Sequence, residues 1–291
     1  MAPVQDTGMT VAHETLDLLG RALAGRAVPR VRALHLPRAP WDGSKDGEFG
    51  ALELDDGSLG LSYVLLDGAL AALVEGSHGP ALVGTDALAV ASGWAEGAGA
   101  RRTLGFAAVN ALTRHLFDRA GYAPPDAADS IGGLDPQPGE HIGMVGFFPP
   151  LVKQVTARGA RLTVLELKSE LAGDRGEFTI TLDPAALESC DKVLSTSTVL
   201  LNDTLDDVLA RCAHARAFAM IGPGASCLPD ALFARGVTLL GGVWIEDAGA
   251  FKQALTAGQP WGRHARKFAL ARAGYPGLQA LLSNLRERGG G

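Results

Sequence analysis

The sequence predicts an α/β protein built from a small α+β domain at residues 1–125, a linker at 126–140 and a parallel-sheet domain at 141–291. In the first part, two apolar runs flank Asp56-Gly57, a dipeptide typical of tight hairpins. In the last part, short apolar runs alternate with helical segments, which is typical of parallel strands covered by helices. The segment between the two parts is rich in Pro, Gly and Asp, which indicates a connector.

The first domain is predicted to begin with a helix over residues 10–24, where apolar residues recur at helical spacing. The run VPRVRALHL and the two runs around the hairpin dipeptide predict a small antiparallel meander. Two helices follow, DALAVASGWAEG and the longer RRTLGFAAVNALTRHLFDRAG. Small residues in the longer helix, among them Gly105 and Ala108, would allow another backbone to pack closely against it.

Five strands are predicted in the second domain, with the sequences IGMVGF, RLTVLEL, DKVLST, AFAMIG and VTLLGGVWI. The stretch GEFTITLDPAALES, between the second and third of them, predicts either an extra short strand or a turn in place of a crossover helix. A final helix over residues 276–286 is expected to pack back on the sheet.

Composition excludes several classes of protein. The 26 basic residues are outnumbered by 32 acidic ones and form no basic stripe with interleaved aromatics, so no nucleic-acid partner is expected. No apolar run approaches the length of a membrane span, and Asp6 falls where a signal peptide would be apolar, so a cytoplasmic protein without a membrane partner is expected. The sequence leaves open whether the chain forms a homo-oligomer.

Ligands of open parallel sheets bind outside the carboxyl ends of the strands, where loops meet. Reading those loops gives the candidate ligand-binding residues of the second domain: Gly146, Phe147, Glu166, Thr196, Asn202, Gly222, Pro223 and Ser226.

Some of these residues also have a structural interpretation. Phe147 suits a core or pocket-wall position, and either Asn202 or Asp203 suits the cap of a following helix. Ser226 is predicted to cap a helix that opens at Leu228-Pro229-Asp230, whose backbone N–H groups would then face the site and bind an anion.

No familiar cofactor motif matches these loops. GMVGFFPP lacks the G-x-G-x-x-G glycines, so a nicotinamide cofactor is not favoured, although Glu166 falls about twenty residues downstream, where such proteins hold a ribose-binding acid. MIGPGASCLPD, which begins at Met220, lacks the Lys-Ser/Thr of a P-loop and is not G-x-S-x-G, since Leu228 takes the last position.

Metal binding has weak support from spacing. The three cysteines show no C-x-x-C pattern, and the seven histidines form no H-E-x-x-H motif. Glu166 as a hard oxygen ligand and Cys227 as a soft sulfur ligand are the candidates for a divalent or heavy metal ion.

Several strings together, GFAAVNALT, IGMVGFFPPLV, VLELKSE, STSTVLLNDTLDDVL and MIGPGASCLPDALFARGVTLLGGVWIED, resemble the "putative heavy-metal chelation" domain family, a family of unknown function. The resemblance implies a domain similar to the enolase amino-terminal domain, then a Rossmann-like domain, with a site in the cleft between them. It adds Asn110 of the first domain to the ligand-binding candidates and matches Gly146, Glu166, Thr196, Asn202, Thr204, Gly222, Pro223 and Pro229 of the second.

Two functions follow as hypotheses. The first is binding, including chelation, of a metal ion or a metal-bound small ligand in the cleft between the two domains. The alternative is an enzyme acting on a small anionic metabolite at the carboxyl edge of the sheet, with Glu166 as general base. The sequence does not decide whether the protein is an enzyme.

Overall fold

The computed structural model describes residues 8–41, 43–76 and 78–289. The amino-terminal half contains a leading helix, a three-stranded sheet and five further helices: α1 (Val11–Leu23), β1 (Val31–His35), β2 (Phe49–Leu54), β3 (Leu59–Tyr63), α2 (Ala69–Glu75), α3 (His78–Leu82), α4 (Ala87–Ala91), α5 (Gly93–Glu96) and α6 (Gly99–Arg119).

The carboxyl-terminal half alternates strands and helices: β4 (His141–Val145), α7 (Pro149–Thr156), β5 (Arg161–Leu165), β6 (Gly173–Asp174), β7 (Phe178–Thr181), β8 (Lys192–Thr196), α8 (Leu205–Arg211), β9 (Ala217–Ile221), α9 (Asp230–Ala234), β10 (Leu239–Ile245), α10 (Ala248–Ala257), β11 (Ala265–Ala271) and α11 (Leu278–Gly289).

The small sheet is the predicted antiparallel meander, in the order β1-β2-β3. Its second hairpin turns at Asp56-Gly57, where Gly57 has a φ of 91°, so the turn prediction is confirmed. Asp56 fastens the turn to α6, because its carboxylate accepts hydrogen bonds from His115 Nδ1 at 2.6 Å and from the Ser58 hydroxyl and amide, both at 3.0 Å.

The large sheet has eight strands in the order β11-β10-β9-β8-β4-β5-β7-β6. Its six inner strands are parallel, and the edge strands β6 and β11 are antiparallel to their neighbours. Within this sheet, β4 comes first in sequence. The chain then continues through β5, β6 and β7 on one side of β4 and returns to β8 on the other side. The predicted Rossmann-like α/β class is therefore confirmed, with a reversal of strand order between β4 and β8.

The connection left open by the sequence contains an extra strand. β7 pairs with β5 in parallel, and the short β6 pairs with β7 to end the sheet. The final helix, α11, packs against α6, and its Leu281 and Leu285 join a core cluster that also contains Leu270 of β11.

The main apolar core contains residues from both halves, including Phe106 and Leu112 of α6 and Phe218 and Leu240 of the large sheet. Residues 126–140 also pack against the carboxyl-terminal half. Ile131 and Leu134 are buried in a second apolar cluster, which contains residues of α7 and β4. The division into domains at 1–125, 126–140 and 141–291 stays a prediction.

Hydrogen bonds and an ion pair cross between the two halves. Trp94 Nε1 donates to the carbonyl of Leu200 at 2.6 Å. Glu53 of β2, which is buried, accepts from Lys252 Nζ of α10 at 2.8 Å and from His35 at 2.7 Å. These contacts tie the small sheet to the elements around the large one. Within the described part of the chain, no helix combines the length and apolar character needed to cross a membrane.

Replacing Gly60 by alanine is expected to destabilise the fold. Gly60 of β3 lies against α6 so closely that a β-carbon would overlap the backbone of Ala107 and Ala111. Because neither backbone can yield easily, we expect a loss of about 3 kcal/mol in the free energy of unfolding, measured by denaturant titration. Gly274→Ala is the control, since its β-carbon would meet open space; equal effects of the two substitutions would contradict the packing argument.

Asp56→Asn is expected to make the free energy of unfolding less dependent on pH in the acid range. Burial acts to raise the pKa of Asp56, but the hydrogen bonds from His115 and Ser58 outweigh it and hold that pKa at about 2, below the ordinary value of 3.8. A carboxylate whose pKa is lower in the folded than in the unfolded state stabilises the fold at pH values above the unfolded-state pKa. This stabilisation is lost as the pH falls towards the folded-state pKa. The wild type should therefore lose more stability than Asp56→Asn between pH 4 and 2, in denaturant titrations at each pH. Asp55→Asn, on an exposed neighbour, should behave like the wild type.

Candidate functional site

The loops after β4, β8 and β9 meet at the carboxyl edge of the large sheet, beside the reversal of strand order. Such a reversal opens a crevice, because the flanking connections leave on opposite faces of the sheet. Gly146, Thr196 and Gly222 are the residues at or directly after the ends of these three strands. The sequence prediction that these loops converge follows from this topology.

Gly146 and Thr196 are in close contact across the reversal. Gly146 has a φ of 86°, and a β-carbon there would lie 3.1 Å from Thr196 Cγ2. The Thr196 hydroxyl lies 2.9 Å from that of Thr198 and accepts the Thr198 N–H at 3.2 Å. Both threonines are half-buried, so this edge presents neutral hydroxyl groups next to a closely packed glycine.

Glu166 holds backbone N–H groups of two loops. Its carboxylate accepts three backbone N–H groups, from Phe147 at 3.1 Å, Leu167 at 2.8 Å and Lys168 at 3.3 Å. The Phe147 ring stacks on Phe178 with centroids 6.0 Å apart, as a half-buried wall of the second core cluster. Glu166 therefore fastens the loop after β4 to the loop after β5, and its oxygens are engaged by the chain itself.

The loop from Gly222 to Ser226 differs from the prediction. The helix predicted to open at Leu228-Pro229-Asp230 is present as α9, which begins at Asp230 and spans five residues. The predicted Ser226 cap is wrong, because the N-cap position is Pro229 and no side chain caps the helix. The Ser226 hydroxyl instead lies 3.4 Å from the carbonyls of Pro223 and Val243. The loop leads from the sheet edge, where Gly222 lies against Ser197, to a cavity beside α6.

This cavity lies between the two halves of the chain and has a volume of about 20 Å³. That volume accommodates about one water molecule or a group of similar size. Its walls come from β3, α6, the Gly222–Ser226 loop, β10 and β11; the lining residues are Leu59, Leu61, Asn110, Arg114, Phe117, Pro124, Ser226, Val243, Trp244, Ile245 and Phe268.

Asn110 is the buried polar residue of this cavity, with 1% of its surface exposed. Its amide nitrogen donates to the carbonyls of Leu61 at 2.7 Å and Gly224 at 3.1 Å. Since carbonyls only accept, these two bonds fix the orientation of the amide. The other amide atom, Oδ1, has no hydrogen-bond partner among the described residues.

Arg114 lies one helical turn after Asn110 on the same face of α6. Its guanidinium stacks on Trp244 at 3.8 Å from the ring centroid, and donates to Asp118 at 2.6 Å and to the Ile245 carbonyl at 3.0 Å. Arg114 and Trp244 are not among the residues predicted from the sequence. The i, i+4 spacing from Asn110 was the available signal for Arg114, whereas nothing local marked Trp244.

Asn202 lies outside this cavity. Its Oδ1 accepts the Thr204 N–H at 3.0 Å and the Thr204 hydroxyl at 2.6 Å, which forms a local turn before α8. It lines a separate pocket of about 140 Å³ with Arg102, Asp206 and the start of α1. The structure thus distributes the candidates among the sheet edge (Gly146, Phe147, Glu166, Thr196, Gly222, Pro223), the cavity (Asn110, Ser226) and this pocket (Asn202).

The side chains in the described residues do not fit a bare metal ion. Among those residues, no group of three or more His, Cys, Asp or Glu comes together as a ligand set. Cys227 is buried, with 2% of its surface exposed, and burial raises the pKa of its thiol to about 12. The structure therefore gives no support to direct coordination by Glu166 and Cys227, because Glu166 already accepts three N–H groups and Cys227 is a buried neutral thiol.

The fold and the crevice define a class: a two-part α/β protein in which a small α+β unit precedes a Rossmann-like sheet. The family model described as "Putative heavy-metal chelation", DUF364, matches residues 129–273, so this part of the chain belongs to that family. The chain is 32% identical over 147 residues to an uncharacterized protein of Methanocaldococcus jannaschii; the match covers 50% of this chain and 55% of that protein. The chain thus spans about half the length of this curated relative.

Two crystal structures of DUF364 proteins of unknown function share the fold. The one from Pyrococcus horikoshii is 18% identical, with 90% of this chain and all of that chain covered and a TM-score of 0.63. The one from Desulfitobacterium hafniense is 17% identical, with 89% and 99% covered and a TM-score of 0.63. At these identities the likeness shows the fold alone, and it spans both halves of the chain.

The three thiols are expected to react slowly in the folded protein. Burial is the main cause that raises the pKa of Cys190 to about 11 and the pKa values of Cys212 and Cys227 to about 12. Because the thiolate is the reactive form, labelling by a thiol reagent at pH 8 should be on the order of 100-fold slower than in denaturant. A thiol that reacts at the same rate in both conditions would show that its site is open to solvent and able to ligate a metal.

Proposed function

We propose that the protein binds a small metal-chelating ligand in the cleft between its amino-terminal and carboxyl-terminal halves, with Asn110 contacting one water-sized group of that ligand. The observation that carries this proposal is the unpartnered, buried Oδ1 of Asn110, a residue that lines a cavity between the two halves. A buried acceptor without a donor destabilises the fold by about 1–3 kcal/mol. A ligand or water that donates to it offsets this cost.

The orientation of Asn110 supports a binding role over a purely structural one. Its nitrogen already joins β3 to the Gly222–Ser226 loop, through Leu61 and Gly224. The oxygen lacks a partner within the described chain, beside a loop that begins at the sheet-edge crevice.

The family description points to heavy-metal chelation, while the described side chains form no ligand group for a bare ion. Both are satisfied if the metal is carried by the donor atoms of the small ligand and the protein binds the organic part. The residues available for this are neutral hydrogen-bonding groups such as Asn110, Ser226 and Thr196.

The enzyme alternative has less support from this geometry. A general base needs a free lone pair directed at its substrate. The Glu166 carboxylate accepts three backbone N–H groups that hold two loops together. Loss of Glu166 would therefore disturb the loops, whether or not a reaction occurred there.

Asn110→Leu is expected to weaken ligand binding about tenfold or more, because the ligand would lose its buried acceptor. The assay is calorimetric titration of zinc and nickel salts, alone and as complexes with small chelators such as citrate, malate and histidine. The wild type should bind a chelator or its complex and ignore the bare ions.

Thr113→Val is the matched control, since Thr113 is another buried polar residue of α6 whose hydroxyl bonds within the helix, to Val109 O. Ser226→Ala removes a hydroxyl from the opposite wall of the cavity and tests the same site if Asn110→Leu folds poorly. Stoichiometric binding of a bare metal ion would overturn the proposal, as would ligand binding that neither Asn110→Leu nor Ser226→Ala weakens.

A further inference from the structure

The pocket lined by Asn202 is larger than the cavity beside α6 and lies elsewhere between the two halves. Its volume is about 140 Å³. An enclosed cavity of about 150 Å³ accommodates a six-membered ring, so this pocket has room for about six non-hydrogen atoms. One wall comes from α1, α5 and α6, and the opposite wall comes from residues 200–206. A small organic molecule therefore fits here without any rearrangement of the chain.

The pocket combines an apolar surface with charged groups. Its apolar part contains Trp94, Leu200 and Leu205, all of which are buried. Trp94 is fixed in place, because its Nε1 donates to the carbonyl of Leu200 at 2.6 Å. The polar lining residues are Thr10, His13, Arg102, Asn202, Asp203 and Asp206.

Two of these residues carry donors that the described chain does not use. Arg102 Nε donates to the Gly97 carbonyl at 3.0 Å and Nη2 lies 2.8 Å from Asp203, which leaves Nη1 without a partner among the described residues. Asn202 Oδ1 accepts both bonds from Thr204, which fixes the amide orientation and leaves Nδ2 without one. The Asp203 side chain is 87% exposed, so its ion pair with Arg102 is weak and leaves the guanidinium able to bind a ligand carboxylate.

Asp206 supplies an acceptor to the same pocket. Its Oδ1 accepts the Val11 N–H at 3.0 Å and lies 3.9 Å from Arg235 Nε. Arg235 forms its closer ion pair with Glu14, at 2.6 Å. Asp206 Oδ2 has no partner among the described residues, so a carboxylate oxygen is available to a cationic group of a ligand.

We infer that this pocket binds a small α-amino acid, with its carboxylate at Arg102 and Asn202 and its ammonium at Asp206. A ligand with a carboxylate alone would face the two aspartates without a positive charge of its own. A simple amine would leave the donors of Arg102 and Asn202 unpaired. A zwitterion satisfies both kinds of group, and glycine, alanine and serine have about five to seven non-hydrogen atoms, the size that the pocket admits. This site is separate from the cavity of Asn110 and does not depend on the proposed function.

The test is calorimetric titration with glycine, L-alanine and L-serine, compared with lactate and alaninamide. Lactate has a hydroxyl in place of the ammonium of alanine, and alaninamide has a neutral amide in place of the carboxylate. L-alanine should bind at least about tenfold tighter than either analogue, because each of them lacks one charge-assisted contact.

Asp206→Asn tests the ammonium contact. The asparagine keeps an acceptor for the Val11 N–H and removes the negative charge. It should weaken the binding of alanine and alaninamide about tenfold and leave the weak binding of lactate unchanged. Asp207→Asn is the matched control, since Asp207 is exposed, pairs with Arg211 and is not a lining residue of the pocket.

Two variants test the carboxylate contact. Arg102→Gln should lower the affinity for alanine and lactate about tenfold and leave alaninamide unchanged. Arg101→Gln is its control, because Arg101 pairs with Glu96 and is not a lining residue. If Arg102→Gln folds poorly, Asn202→Asp tests the same contact: it keeps the acceptor for Thr204 but replaces the free amide donor by a carboxylate, which should weaken alanine binding about tenfold or more.

Three results would overturn the inference. The first is the absence of saturable binding of glycine, alanine and serine. The second is equal affinity for L-alanine and either of its two analogues, since the site would then not recognise a zwitterion. The third is alanine binding that Asn110→Leu abolishes and Asp206→Asn leaves intact, which would assign the ligand to the other cavity. With the inferred site, Asn110→Leu should leave alanine binding unchanged, so the failure of one proposal does not entail that of the other.

Discussion

The structure depends on the burial of helix α6 between the small sheet and the elements of the carboxyl-terminal half. Eleven consecutive residues, 103–113, are buried, so the helix has no solvent-facing side over three turns. One side accepts β3 at backbone contact distance, which is why Gly60 has no room for a side chain. Another side supplies Phe106 and Leu112 to the core shared with the large sheet. The two halves therefore share one core across this helix.

In a helix that is buried on all sides, a polar side chain destabilises the fold unless its polar atoms form hydrogen bonds. Thr113 bonds back to Val109 O and so satisfies its hydroxyl within the helix. Asn110 uses its nitrogen to join β3 and the Gly222–Ser226 loop, and its oxygen has no partner in the described chain. The same burial that stabilises the fold thus places an acceptor at the junction of both halves.

Local patterns predicted the hairpin at Asp56-Gly57 and the parallel strands, since each depends on neighbours in sequence. They failed at Ser226, where Cys227, Leu228 and Pro229 continue the loop before α9 starts. Local sequence patterns could not predict the cavity. Its walls come from residues 59–61, 110–124 and 226–268, and α6, which is buried on all sides over three turns, carries no amphipathic stripe to indicate which face lines a site.

The proposal of an organic ligand rests on the chemistry of the described side chains. The three thiols are buried and held in their neutral form, and Glu166 serves the backbone of two loops. Coordination needs several deprotonated or anionic donors around one point. The cavity instead brings one guanidinium and one neutral amide together, at one helical turn's separation on α6. Under the proposal, groups of this kind contact the organic part of a ligand and not the metal that it carries.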